Sequence, residues 1–324
     1  RREDLSFGRL LRGVLTGDWK HAEAERALMS HRSMTGGGWL IPSPISARII
    51  DLARNKTRCF EAGALTIPME SAELNIARVT QDPNMYWRHE NTAVTFSDVV
   101  VGKYVLKAKT LMGGCKVSEE LIQDAPNAGD IVEQALSSAL ALELDRAGLY
   151  GDGAAAEPMG LVNWDDLQTV DMGSDGDSLS GYAPFSEAVQ LIGEANGPTE
   201  GLSCIMAPRD LGVLDRLHDG MGNPLQPPES WKAMRKFTTN QIQTNQTKGL
   251  SSDASNAFVG YFPEMFFGIR MEATIDVSRD ASDSAGGAFS HYQVWIRAGL
   301  RADVLVARPS WFVNIDGIVP PADA

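Results

Sequence analysis

The chain has 324 residues, of which 43% are hydrophobic and 22% charged, enough to bury a core in one large or two smaller globular units. Its 42 acidic against 29 basic residues leave a formal charge of −13, the wrong sign for gripping nucleic acid by its phosphates, so nearby DNA would be contained and not bound. No apolar run reaches the roughly 18 residues of a membrane span, and no secretory signal opens the chain, so we expect neither membrane contact nor export and place synthesis in the cytoplasm.

Along the chain, Phe7, Leu10, Leu11, Val14 and Leu15 share one helical face, with Arg9 and Arg12 opposite. A second helical run covers Asp18 to Met29. The pair reads either as an amphipathic helix packed on its own domain or as an arm that docks on a neighbouring subunit. Gly36, Gly37 and Gly38 then form a hinge; no Gly-Lys-Ser/Thr ending follows, so this is no phosphate loop. A helical stretch is expected from about Ser46 to Asn55.

From Ala64 to Thr110 the period changes from helical to alternating. Leu74 and Ile76 on one strand, and Tyr104, Leu106 and Ala108 on another, predict a long hairpin. Its tip, Gln81 to Asn91, combines turn formers with Tyr86, Trp87 and Arg88. A lone two-stranded ribbon is marginal in water, so a neighbour is expected to cover it. Ser118 caps a short helix, and Asp130 to Tyr150 is the longest helical signal, about 30 Å of strut. Gly151-Asp-Gly153 follows a helix and lacks a lysine, which argues against a nucleotide loop. Residues 165–184 read as a solvated, flexible linker, since their aspartates miss the calcium-loop spacing. Helix (Ser186 to Asn196), strand (Leu202 to Met206) and helix (about Asp210 to Leu217) alternate next, and Met265 to Val313 is strand-rich.

Chemistry-bearing constellations are missing from the sequence. The five histidines lie at least ten residues apart, Cys59, Cys115 and Cys204 have no Cys-x-x-Cys spacing, and no Gly-x-Ser-x-Gly elbow occurs. We therefore expect buried, reduced thiols and no catalytic, cofactor-binding or metal site, so that no cofactor is needed.

Several stretches together resemble the major capsid proteins of tailed phages with the Hong Kong 97-like fold. They are Gly37-Gly-Trp-Leu-Ile-Pro42, Val117-Ser-Glu-Glu-Leu-Ile-Gln-Asp124, Glu143-Leu-Asp145, Gly151-Asp-Gly153 with Glu157-Pro-Met-Gly160, Ala207-Pro-Arg-Asp210, His218-Asp-Gly220 with Asn223-Pro-Leu225, and Ala273-Thr-Ile-Asp-Val-Ser-Arg279. The resemblance implies an α+β fold with an N-terminal arm (1–43), a P-domain (44–65, 112–170 with its spine helix, and 270–306), a long E-loop hairpin (66–111) and an A-domain (171–269 and 307–324). It further implies a homo-oligomer of pentamers and hexamers in a closed icosahedral shell around double-stranded DNA, with a portal protein and a maturation protease as partners during assembly. The shell would be assembled in the host cytoplasm and end in the virion, with the Phe7–Leu15 face and Tyr86, Trp87 and Arg88 as intersubunit contacts.

Some relatives weld their shells by an isopeptide bond from an E-loop lysine, whereas residues 57–102 here contain none. The start at Arg1, without methionine, suits a processed product. Two other functions are weighed beside the phage shell: an encapsulin-like compartment for enzyme cargo, which usually lacks such an arm, and an α/β hydrolase, which the missing motifs oppose.

Overall fold

The computed structural model describes residues 6–16, 19, 22–29, 38–40, 52–53, 56–81, 87, 89–90, 100–125, 128–154, 156–283 and 286–321. Two mixed sheets dominate. The five-stranded sheet runs β1 (Gly38–Leu40), β12 (Met265–Ser278), β15 (Gln293–Val306), β5 (Lys109–Ser118), with β2 (Leu65–Met69) parallel to β12. Both 14-residue strands, β12 and β15, come from the strand-rich C-terminal region, and they pair antiparallel along nearly their whole length. The spine is α5 (Ala128–Tyr150), 23 residues long, which buries Val132, Leu136, Leu140 and Leu144 at four-residue intervals and leaves Ile131 and Leu142 exposed. Short helices α1 (Phe7–Thr16), α2 (Glu23–Met29), α3 (Arg58–Ala62) and α4 (Glu119–Asp124) complete this half.

The seven-stranded sheet has the path β6 (Gln168–Asp171), β16 (Phe312–Val319), β11 (Ser251–Gly260), β8 (Ser203–Met206), β9 (Arg235–Thr238). β10 (Gln246–Lys248) adds to β11 and β7 (Asp177–Ser178) to β16. α6 (Ala183–Glu194), α7 (Pro208–Asp215) and α8 (Glu229–Ala233) flank it, and Phe185, Ile192, Val213 and Trp231 join Cys204, Val259 and Ile315 in its core. Two small pairs stand apart, β3 (Glu73–Gln81) with β4 (Val100–Lys107) and β13 (Ser282–Asp283) with β14 (Gly286–Gly287). No described helix is long and apolar enough to cross a membrane.

Three expectations change. The segment 165–184 is not simply a solvated linker: β6 lies parallel to β16, and Val170 and Leu179 are buried. Gly38 is no hinge residue but begins β1, paired with Ser278; Gly36 and Gly37 lie outside the described residues. Of the three thiols, Cys59 and Cys204 are buried but Cys115 is only partly so. The helix expected over Ser46 to Asn55 falls almost wholly outside the described residues, with only 52–53 helical.

Gly151-Asp-Gly153 and Glu157-Pro-Met-Gly160 turn out to be two sides of one tight turn. Gly151 and Gly160 exchange backbone contact, with Gly160 N–H donating to Gly151 O at 2.8 Å, and a Cβ on Gly160 would lie 2.3 Å from Gly151 N. Lys109 Nζ donates to the carbonyls of Gly153, Ala154 and Glu157, so the loop's polar groups are turned onto the chain itself.

Candidate functional site

The β3–β4 ribbon pairs with no strand of either large sheet. Its register pairs Leu74 with Leu106 and Ile76 with Tyr104, so alternation puts these four on one face and Glu73, Asn75, Ala77, Lys103, Val105 and Lys107 on the exposed other. At the root, Leu106 joins Met69, Ala108 and Leu305 in a small separate core. Two hydrogen bonds tie the root to β15 and the residue after it. Tyr104 Oη–H donates to Ala307 O at 2.6 Å, and Lys107 N–H donates to Asp303 Oδ2 at 2.6 Å. Asp303 is buried, and desolvation raises its carboxyl above the ordinary aspartate value against the pull of the Lys107 and Val304 amides.

Beyond the ribbon strands Trp87 is fully exposed. Tyr86 and Arg88, expected beside it, lie outside the described residues.

The arm behaves differently from the docking expectation. Phe7, Leu10 and Leu11 have 1% exposure or less and sit in the chain's own core with Val117, Ile122, Val132 and Leu136. Within this chain the three thus pack as core residues, the own-domain alternative of the two weighed for the arm. Val14 lies in α1 with Leu15, but the side chains of both are outside the described residues. Glycine makes this seat possible. Gly8 and Gly129 cross so closely that a Cβ on Gly129 would lie 2.1 Å from Gly8 Cα. Polar contacts lock the arrangement: Glu25, buried, accepts Ser6 N–H at 3.1 Å and pairs with Arg9 at 3.2 Å, while Ser6 Oγ–H donates to Asp130 at 3.2 Å.

The buried acids serve architecture. Asp145 accepts the N–H groups of Arg58 (2.8 Å) and Cys59 (3.0 Å) and so holds the first turn of α3; burial raises its carboxyl and pushes the Cys59 thiol up as well. Asp210 receives Ser255 Oγ–H at 2.6 Å and Arg209 Nε at 3.2 Å. His291 Nδ1 lies 3.1 Å from Ser290 Oγ and 3.0 Å from Gly287 O, a local turn contact at the surface. Among the described residues no group of three His, Cys, Asp or Glu side chains is placed to hold a metal ion. Asp171, one of the linker aspartates, instead pairs with Lys248 at 2.5 Å.

Sequence reasoning missed Gly8, Gly129 and Asp303, each of which acts through a partner far away in the chain. No local pattern marks them.

Comparison with known proteins places this architecture. The phage capsid family model matches residues 37–317. The chain is 26% identical over 298 residues to the major capsid protein of Klebsiella oxytoca phage phiKO2, covering 87% of this chain and 69% of that one. It is 24% identical to the major capsid protein of Halomonas phage phiHAP-1, covering 75% of this chain but only 46% of the relative. Among solved structures, Gordonia phage Cozz superposes with a TM-score of 0.61 at 17% identity, over 81% of this chain and 86% of that chain. The capsid of a native GTA particle does so with a TM-score of 0.59 at 15% identity, over 93% and 99%. At such identities the structural likeness is one of fold.

Proposed function

Because the chain belongs to the phage capsid family, it is a structural shell protein and not an enzyme, and we propose that its copies close into an icosahedral head of pentamers and hexamers around the double-stranded DNA of a tailed phage or prophage. The observation that carries this reading is the ribbon. A lone two-stranded ribbon is marginal in water, yet among the described residues β3–β4 is held by contacts near its root, and Trp87 beyond it is fully exposed. Tryptophan and arginine are the residues that most often anchor protein interfaces, so Tyr86, Trp87 and Arg88 are assigned to contacts with a neighbouring copy. The strong acidity suits a wall that encloses DNA without holding it.

In this assignment the five-stranded sheet and spine form the P-domain, the seven-stranded sheet the A-domain, and β3–β4 the E-loop. The strands favour an A-domain that starts before Gln168 and a P-domain return that starts at Met265. A portal protein and a maturation protease would act during assembly in the host cytoplasm.

The test is direct: express the chain, raise its concentration and image the product by electron microscopy. Closed shells of uniform diameter are expected. A chain that stays monomeric across salt and concentration would overturn the reading.

A further inference from the structure

The turn after the spine brings three backbone carbonyls to one point. Gly153 O, Ala154 O and Glu157 O each accept a hydrogen bond from Lys109 Nζ, the first at 3.2 Å and the second at 2.5 Å. An ammonium has three donors and no acceptor, so three carbonyls satisfy it completely. Each of these bonds is charge-assisted and correspondingly strong. Lys109 is half-buried at the start of β5, whereas Lys103 and Lys107 on β4 are exposed.

The loop keeps its shape by contacts that do not involve the lysine. Gly153 N–H donates to Pro158 O at 3.2 Å, Glu157 N–H to Ala154 O at 3.2 Å, and Asp152 Oδ1 accepts Ala154 N–H at 2.8 Å. Gly153 has φ +71°, in the left-handed region, and a Cβ on Gly151 would lie 2.2 Å from Pro158 O. The carbonyls are therefore preset, and three dipoles aimed at one point repel one another unless a cation stands there. Rings of backbone carbonyls replace the hydration shell of potassium ions in selective channels. Two further features favour positive charge at this place. The 23-residue spine ends at Tyr150 with the negative pole of its dipole toward the loop, and it has no basic residue in its last turn. Beside the loop, Glu143 and Glu157 share the single guanidinium of Arg146, at 2.5 and 2.8 Å, which leaves one carboxylate charge over.

We propose that residues 151–160 form a cage for a small monovalent cation, whose resident is the chain's own Lys109 ammonium. A full cage fastens the junction of β4 and β5 to the end of the spine, because Lys109 opens β5 just past the last residue of β4, Lys107. Vacated by removal of the lysine, the cage takes a free cation of the same charge and similar size, methylammonium or potassium. Every group involved belongs to one chain, so the cage does not depend on how copies assemble.

The test uses the unassembled full chain with Lys109→Ala, unfolded by urea in methylammonium, potassium or choline chloride at equal ionic strength. Choline has no N–H and is too bulky for the space that a lysine ammonium leaves. The variant's unfolding midpoint is expected to be lowest in choline and to recover most of the loss in methylammonium or potassium, since a ligand of the folded state alone stabilises it by mass action. The unmodified chain, whose cage is full, should show no such difference. Equal midpoints for the variant in all three salts, after subtraction of the unmodified chain's response, would overturn the cage. Should Lys109→Ala fail to fold, acetylation of the unmodified chain, read by peptide mass spectrometry, decides. With its three donors engaged, Lys109 should react at least about tenfold more slowly than the exposed Lys103 and Lys107, and equal rates overturn the proposal.

Discussion

Gly129→Ala tests how the arm is held. The added Cβ would lie 2.1 Å from Gly8 Cα and 3.1 Å from Gly8 C, all of it backbone, whereas ordinary contact begins near 3.4 Å. A flexible side chain could swing aside; a helix backbone cannot. α1 must therefore retreat by about 1.3 Å, and a radial gap of about 1 Å already forfeits roughly half of the dispersion attraction across it. The residues that lose contact are Phe7, Leu10 and Leu11, each fully buried and each worth about 1.5–3 kcal/mol relative to exposure. Complete detachment would thus forfeit up to about 9 kcal/mol, and partial retreat about 2–4 kcal/mol. Gly129 lies in the first turn of α5, where the gain in helix propensity from alanine stays below about 1 kcal/mol and does not offset the loss.

The assay is urea unfolding of the free subunit together with limited trypsin digestion, since Arg9 and Arg12 supply cleavage sites on α1. The variant should unfold at lower urea and be clipped in the arm much faster than the unmodified chain. An unchanged midpoint with an equally resistant arm would refute the Gly8–Gly129 crossing and restore the arm as a candidate for a neighbouring subunit.

Boiled shells on a denaturing gel should give one monomer band, because the ribbon tip has no amine; a ladder would implicate Lys103 or Lys107 at its base. Asp210 yields a pH prediction. Burial raises its carboxyl above the ordinary value, so the folded chain binds that proton more tightly than the unfolded chain, and the stability from this group is lost as pH rises through the folded value. The geometry supplies the reason: Ser255 Oγ faces both Asp210 Oδ2 (2.6 Å) and Ile318 O (3.1 Å) with one proton to give, and a protonated Asp210 would donate back and satisfy both. Relative to Asp210→Asn, the unmodified chain should therefore be more stable near pH 4.5 than near pH 7 in paired urea titrations; a relative gain with rising pH would contradict this.

Elements with strong local periodicity were legible in the sequence. The alternation of Leu74 and Ile76 against Tyr104 and Leu106 becomes the inner face of the ribbon, and the run after Asp130 becomes α5. β6 was not legible, because four residues with one buried apolar side chain, Val170, have no measurable period, and their partners start at Val313. β11 hid for a related reason. It places Ser255 and Asn256 in a buried sheet where the sequence reads polar, and both find partners from afar: Ser255 pairs with Asp210, and Asn256 Nδ2 donates to Asn314 Oδ1 at 2.9 Å, while Asn256 Oδ1 has no donor among the described residues. The arm shows the opposite failure. Its apolar face is plain in the sequence, but whether that face meets its own chain depends on a pair of glycines 121 positions apart, Gly8 and Gly129, whose significance appears only when the helices cross.

The same contrast explains why one chain can be both a stable subunit and a shell component. A ribbon that carries a large aromatic at its tip is useful only if its direction is set before the partner arrives, since ordering it on contact would cost about 1–2 kcal/mol for every backbone residue fixed. Here the direction is set at the root. Tyr104 is tied to Ala307, Lys107 N–H to Asp303, and Leu106 is wedged between Met69 and Leu305, so β3–β4 is fastened to the strand β15 that also carries Trp295 and Arg297. The root of the ribbon and the five-stranded sheet are therefore joined by direct contacts. If the ribbon meets a neighbouring copy as proposed above, loosening its root with Asp303→Ala, remote from Trp87, is expected to lower particle yield, and a normal yield would confine Asp303 to the fold of the single subunit.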